Sequence, residues 1–447
     1  MKFTVRDPNK AYRGSFLWLP RDSVSEDKLN QDLRLISKGY RPGSSQVYML
    51  WENCGPHVRV PRAYEVPTGM EVVDLTPKSY QTLLVDDLVH SFLDEGQERA
   101  YNALAAAREG ILHLACGRGK TVLGVKKAVN EGGPFLIVVC DTGTFSQWES
   151  AVRDYSTYQD KIGIIRGTKM VIRPITFASS RTLVERPLLP TDVRAYFKTI
   201  LFDEVHHFAA AQLKSTLPMF TGNRIGLTAS IERDDNLEPI IYAHIGPIFH
   251  SDMSQPLTPE IYFKATKVVV PISHPELKDK AQQVNMSKMI SYLSRMEDRN
   301  SEILELVEKA RGKDRKVLVL VHNVSHAQAL SLSYNDLFPG ESAALTGDVN
   351  ADERRQVLRE NPVVFATLAV GKEALDAPDL DTVVFGTPFK NWTTLQQGMG
   401  RALRKRSGKK QPVVVILNDV GVIPAAKMCR RLQTELTRRG YVWTRRR

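Results

Sequence analysis

The stretch LACGRGKTVLG (114–124) places Gly117, Arg118, Gly119, Lys120 and Thr121 between an apolar run and a helix-like run. These residue types at this spacing suit a polyphosphate. Glycines let backbone amides wrap phosphate oxygens, and the N-terminus of the following helix adds its positive end. Lys120 then reaches the β- and γ-phosphates, and the Thr121 hydroxyl holds Mg²⁺. Average composition yields a chance G-x-G-K-[ST] about once or twice in a hundred chains of this size. Here it also has the preceding strand and following helix that the chemistry requires. A plain turn is the competing reading.

Three further stretches carry chemistry. In ILFDEVHHF (200–208) two carboxylates follow an apolar strand, where an open α/β sheet presents its ligand site. Asp203 is placed to bind Mg²⁺ through water, and Glu204 to orient and deprotonate an attacking water. Capping by Asp203 is the bland alternative. A zinc role for His206 and His207 is disfavoured, because adjacent side chains diverge and no further ligand spacing follows. In LQQGMGRALR (395–404), Arg401 and Arg404 stand three apart on an expected helix and share a face. Such a pair could stabilise a phosphoryl transition state if a second lobe delivers it to a cleft; otherwise it is a basic surface helix. GLTAS (226–230) ends a strand, and Thr228 or Ser230 could simply cap a helix.

The elements that must position these groups follow a strand–turn–helix rhythm from about residue 86. Short apolar runs at 111–115, 135–140, 198–202 and 224–227 are separated by amphipathic segments such as FSQWESAVRDY. That pattern predicts a parallel sheet with helices on both faces. Prolines at 256, 259, 271 and 275 break the rhythm, and strands are then expected in KVLVLV, SAALTG, VVFATL, TVVFG and QPVVVIL. The fold class expected is α/β, with two tandem parallel-sheet lobes of the RecA type at 86–262 and 263–447, the interlobe connection included in the latter. Residues 1–85 are rich in aromatics and turn formers, with an alternating HVRV, and read as a small mixed accessory domain.

The bulk numbers narrow the class. Of 447 residues, 42% are hydrophobic and 25% charged, which is ordinary globular composition with room for two or three cores. No apolar stretch approaches the roughly 20 residues of a membrane span. The four cysteines are far apart, form no C-x-x-C pair and suggest a reducing cytoplasm. Net charge is +11, yet residues 401–447 hold 14 Lys/Arg against 2 Asp/Glu, so the first 400 residues sum to −1. A basic end on a neutral body suggests an anionic polymer partner, with a solvated helix face as the alternative. Arg445, Arg446 and Arg447 are expected to be mobile and to touch only phosphates.

In this order and at these separations the stretches resemble the motifs of superfamily 2 DExH-type helicases, over roughly residues 90–420. ACGRGKT resembles motif I, VVCDTGTFSQW motif Ia, ITFASS the next nucleic-acid motif, DEVH motif II and GLTAS motif III. VFATLAVGKEALDAP resembles motif V, and Gln397-x-x-Gly400-Arg401-x-x-Arg404 motif VI. LTASIERDD, the spacing of FSQW, and a short N-terminal module with FLWLP and VRVPRAY are similar to the group of XPB-type repair helicases and UvsW-like phage branch-migration helicases. The resemblance implies an ATPase that moves along nucleic acid. It assigns Gln97 and Asp376 to the nucleotide site with the cradle residues, and Gln397, Arg401 and Arg404 to catalysis. It assigns Thr142, Gln147, Trp148, Thr176 and Thr367 to nucleic-acid contact. The sequence departs from the pattern in four places: Leu114 opens motif I, Asp94 stands where an arginine usually precedes Gln97, Ala374 replaces a common glycine, and Gly398 replaces a frequent arginine.

The expected enzyme is therefore an ATP- and Mg²⁺-dependent DNA helicase or translocase that remodels branched DNA, working as a monomer in the cytoplasm, the host's if phage-encoded. Alternatives are an RNA helicase, since the core motifs do not separate the sugars, another ATP-driven DNA motor such as a restriction-type subunit, and a nucleotide-switched binding module. The last conflicts with the presence of Glu204 and both arginines. The accessory domain is expected either to grip DNA or to serve as a scaffold on the first lobe.

Overall fold

The computed structural model describes residues 7–38, 45–76, 92, 94–115, 117–131, 134–140, 142–158, 162–186, 189–210, 212–233, 235–254, 257–279, 281–347, 349, 351–372, 379–402 and 408–446. Its contacts form two compact units, the first ending at Met253 and the second beginning at Ser254 and including Arg118. The strand Glu260–Ala265 pairs in the second sheet, so residues 260–262 belong to the second lobe, whereas the expected boundary placed them in the first.

The first lobe is an eight-stranded sheet. In spatial order its strands are Lys169–Val171, Gly163–Arg166, Ile175–Ser179, Phe135–Val139, Thr199–Phe202, Asn223–Thr228, Gly110–Leu114 and Ile248–Asp252. All neighbours are parallel except the first two. Phe135–Val139 and Thr199–Phe202 are buried at every position, as central strands covered on both faces must be. The helix Thr142–Tyr155 presents Phe145, Trp148, Ala151 and Val152 to the core, the three-and-four spacing of one helical face. The second lobe repeats the plan with seven strands in the order Ser342–Leu345, Val363–Thr367, Val317–Val321, Thr382–Phe385, Val413–Asn418, Glu260–Ala265 and Trp443–Arg446. The helix Trp392–Ala402 lies so close to this sheet that a Cβ at Gly398 would overlap Phe385 and crowd Leu320. That leaves no room for the arginine common at this place in the motif.

The N-terminal residues form a five-stranded mixed sheet in the order Glu52–Cys54, His57–Val60, Leu17–Pro20, Ala11–Arg13 and Val72–Asp74, and a separate ribbon of Arg34–Ile36 with Val47–Met49. This module belongs to the same unit as the first lobe. Two buried arginines key them together. Arg62 donates to Gly14 O and Thr76 Oγ1 within the module, and to Thr221 O, Asn223 Oδ1 and Glu109 in the lobe. Arg224 donates to Ser15 O as well as to Phe220 O and His244 O. Removing residues 1–85 would leave Arg224, fully buried now, with a lost acceptor, a cost of about 1–3 kcal/mol. The described residues of the module thus pack with the first lobe in one unit.

Two histidines are buried in a form that resists protonation. Burial, and then neighbouring Arg224, push His244 down to about 3. Burial and Arg299 push His326, whose Nε2 pairs with Asn300 Oδ1 at 2.8 Å, down to about 4. Unfolded histidines bind protons near pH 6.5, so this stabilisation is complete above that value and is lost as pH falls towards the folded values. At about pH 5 each histidine then accounts for about 2 kcal/mol of lost stability. Melting midpoints are expected to fall between about pH 7.5 and pH 5, and by less in His326→Asn. Equal shifts in both proteins would remove His326 from the effect.

The chain's basic end is not a mobile tail. Trp443–Arg446 is an edge strand parallel to Glu260–Ala265, with Arg445 opposite Phe263 and Arg446 opposite Lys264. The Arg446 guanidinium lies 3.7 Å from the Tyr262 ring centroid, and Arg445 reaches Gln433 Oε1 at 3.4 Å. Hydrogen-bond pairing across the sheet orders a segment whose charge alone suggested disorder. Deleting residues 445–447 is expected to destabilise the second lobe by about 1 kcal/mol, the size of an exposed cation–π contact. An unchanged melting curve for the deletion would restore the mobile-tail reading. Arg447 lies outside the described residues.

Candidate nucleotide and nucleic-acid site

The cradle sits where the strand Gly110–Leu114 ends and the helix Lys120–Asn130 begins. Gly117 has φ 83° and Gly119 φ 74°, left-handed values that explain glycine at both places. At Gly119 a Cβ would also overlap Gln97 Nε2, so the Gln97 amide lies against the cradle glycine. Gln97 is held there by a helix start: Asp94 Oδ1 caps the helix Glu95–Ala106 by accepting from Gln97 N at 2.9 Å. The missing arginine is thus replaced by an N-cap. Lys120 Nζ donates to Leu114 O at 3.3 Å and lies 4.0 Å from Glu204 Oε1. The bond to residue 114 uses its carbonyl, which leucine supplies as well as any small residue. Arg118 is buried and its Nη2 donates to Ser254 Oγ at 2.6 Å.

Asp203 and Glu204 follow the strand Thr199–Phe202 at the carboxyl end of the sheet, as the cradle follows its own strand two positions away. Asp203 is almost wholly buried. Its Oδ2 accepts from Trp148 Nε1 at 2.7 Å and its Oδ1 from Glu204 N at 3.0 Å. Glu204 holds φ 47°, a left-handed conformation that costs a non-glycine residue roughly 1–3 kcal/mol and is characteristic of functional sites. Burial raises its carboxyl pKa, but Lys120, His206 and His207 outweigh burial and hold it well below the usual carboxylate range. Glu204 is therefore held in its ionised form.

His206 joins this centre to the end of the next strand, which sequence reasoning did not foresee. Its Nδ1 lies 3.4 Å from Glu204 Oε2 and 2.9 Å from Thr228 Oγ1. Thr228 in turn donates to Ser230 O at 2.6 Å, so GLTAS is tied to the DEVH segment and Thr228 does not cap a helix. Arg233 adds a bond to His206 O and an ion pair to Asp235. The spacing of motifs II and III in the sequence carried no sign of this pairing.

The oxygen donors Thr121 and Asp203 suit Mg²⁺, a hard cation that prefers oxygen. The glycine conformations of the cradle suit a closely approaching polyphosphate.

The nucleic-acid residues fare differently. Trp148 is a correction: it is fully buried and bonded to Asp203, so it offers no surface to nucleic acid. Thr176 is a second: it lies inside the strand Ile175–Ser179, fully buried, its Oγ1 exchanging bonds with Arg173 N and O. Thr367 is a third: it is buried, and its Oγ1 accepts from Val370 N at 3.4 Å at the start of the helix Leu368–Lys372. In each case a hydroxyl or indole was read as a contact where the fold needed a buried donor or acceptor. Gln147 is half-buried on the helix Thr142–Tyr155, whose first residue is Thr142.

In the second lobe Gln397 lies on the helix Trp392–Ala402 with a buried Oε1 that accepts no hydrogen bond. Arg401 is on the same helix. Arg404, Asp376 and Ala374 lie outside the described residues. No described helix is long and apolar enough to cross a membrane.

Residues 74–233 match the family "Type III restriction enzyme, res subunit", and residues 298–406 match "Helicase conserved C-terminal domain". The chain is 24% identical over 418 residues to the DNA 3'-5' translocase XPB2 of Sulfurisphaera tokodaii, covering 83% of this chain and 92% of that one. It is 24% identical over 310 residues to D10 of Escherichia phage T5, named as a helicase, covering 67% and 66%. Among solved structures it is similar to the helicase Lhr of Mycobacterium smegmatis bound to single-stranded DNA and AMP-PNP, with TM-score 0.53 and 18% identity. That match covers 76% of this chain and about half (48%) of Lhr.

Proposed function

Because this chain is a superfamily 2 helicase, an ATP-dependent enzyme that acts on nucleic acid, we propose that its polymer is DNA and that it remodels branched DNA. Branch migration or the processing of forks and junctions, in recombination, replication or repair, would be its work. The observation that carries the DNA reading is its likeness to a DNA translocase along 92% of that protein's length.

On this reading Lys120 neutralises the terminal phosphates of ATP and leaves its contact with Leu114 O to do so. Thr121 and Asp203 would hold Mg²⁺, which would supply further positive charge near the phosphoryl group. Glu204, ionised at any working pH, takes the proton of the attacking water. His206 stands 3.4 Å from its carboxylate and is itself bonded to Thr228. Arg401 and Arg404 are assigned to the phosphoryl transition state on the resemblance alone. Thr142 and Gln147 are assigned to the sugar–phosphate backbone, where contacts hold position and carry little sequence information. The surplus of Lys/Arg after residue 400 adds an electrostatic hold that weakens with salt.

Steady-state ATP turnover with single-stranded DNA, duplex DNA, a Holliday junction and RNA, measured in parallel, tests the proposal. The junction is expected to stimulate most and RNA least. Stimulation by RNA alone would replace DNA with RNA. Equal stimulation by all DNA forms would remove the branched-DNA preference. Tight nucleotide binding without turnover on any polymer would leave a nucleotide-switched binding module.

A further inference from the structure

We propose that Trp148 is a positioning residue for the metal carboxylate: its indole N–H holds Asp203 in the orientation that receives Mg²⁺. The inference rests on the reading of Asp203 as the metal carboxylate given above.

Three observations converge on it. The bond from Trp148 Nε1 to Asp203 Oδ2 is short, 2.7 Å, and both groups are buried. Asp203 Oδ1 already accepts from Glu204 N at 3.0 Å. A carboxylate has about four lone-pair sites on two oxygens. A fixed donor on each oxygen restricts the rotation of the carboxylate. The ring itself cannot easily turn. Its far edge packs over the cradle helix at Gly124, where a Cβ would overlap Trp148 Cη2 and press on Leu201 Cδ1. Glycine at 124 therefore makes the space that the indole needs, in the helix that begins with Lys120 and Thr121. The same ring is thus fitted to the helix carrying one oxygen donor and bonded to the residue carrying the other.

A bland reading exists. A buried tryptophan N–H requires some acceptor, and a nearby carboxylate serves. On that reading the loss of the N–H lowers stability or nucleotide affinity without regard to the metal. A positioning role makes a different demand: the loss must appear chiefly when Mg²⁺ is present. Residues that orient metal ligands typically contribute about 10–100-fold in metal affinity or activity.

The test uses the full chain, a non-hydrolysable ATP analogue and isothermal titration, with Mg²⁺ and with a chelator. Trp148→Phe keeps an aromatic ring and removes the N–H. Its Kd in chelator is expected within about twofold of wild type. Its Kd with Mg²⁺ is expected to weaken about tenfold, and the Mg²⁺ midpoint for ATP turnover to rise by a similar factor. Equal weakening with and without Mg²⁺, or an undiminished gain from Mg²⁺, overturns the inference. If wild type itself gains no affinity from Mg²⁺, the reading of Asp203 as the metal carboxylate falls first. Should Trp148→Phe fail to fold, Gly124→Ala decides by the same comparison. It retains the indole but crowds the ring away from Asp203, and it must show the same Mg²⁺-specific loss.

Discussion

Lys120→Ala is expected to bind DNA nearly as wild type does and to lose ATP turnover by three orders of magnitude or more, about 4 kcal/mol of barrier. The cause is the loss of the charge that meets the phosphates, at the head of a helix whose preceding glycines allow their close approach. The structure adds a second consequence. Lys120 is the strongest of the influences that hold the Glu204 carboxyl low, and burial opposes it. Without Lys120, burial gains ground and the Glu204 pKa rises. Whatever activity survives in Lys120→Ala should therefore increase with pH through the acid range, where the wild-type base is already ionised and shows no such limb. Measurement of turnover at saturating DNA across about pH 5 to 8 checks both statements. DNA-stimulated turnover within about tenfold of wild type, some 1.4 kcal/mol, would sink the cradle assignment.

Glu204→Gln is expected to bind ATP and DNA and then stall. Glutamine keeps the length and planarity of the side chain, and meets the same left-handed backbone at φ 47°, so no new strain enters. What goes is the proton acceptor, worth roughly 10²–10⁴-fold for general base catalysis. Lys120 also loses its neighbouring anion 4.0 Å away, which favours its contact with phosphate, so nucleotide affinity is expected to hold or increase. Single-turnover hydrolysis and nucleotide titration separate the two effects. If nucleotide binding disappears while the fold persists, Glu204 is a structural anion for Lys120 and His206 and not the base.

The two variants probe groups that were legible before any coordinates, for a physical reason. A phosphate cradle needs left-handed glycines, a lysine and a hydroxyl within five residues of chain, and a carboxylate pair needs only a strand end. Such requirements are met by neighbours in sequence. The resemblance to superfamily 2 motifs extended this to the order of the two lobes. Where expectation failed, the deciding partner was distant. Thr176 was read as a phosphate contact, but its hydroxyl is consumed by the Arg173 backbone at the sheet's interior. Only the stacking of strands buries it. The departures from the pattern also became intelligible in three dimensions: Asp94 as a helix cap and Gly398 as a clearance for Phe385.

By itself, the sequence determined the parallel-sheet lobes, the cradle and the position of the acidic pair. Apolar periodicity and turn chemistry act over a few residues and are written along the chain. Tertiary structure alone decided that Trp148 serves Asp203, 55 positions away, and that Arg224 anchors the N-terminal module at Ser15, 209 positions away. It alone decided that Arg445 and Arg446 lie on an edge strand beside Glu260–Ala265. In the first two a buried polar or charged group takes its role from the partner that folding brings within hydrogen-bond distance, and in the third sheet pairing brings exposed arginines within ring-contact distance. The energy of leaving such a group unpaired in the interior, about 1–3 kcal/mol or more, is a property of the folded neighbourhood and has no counterpart in the local sequence.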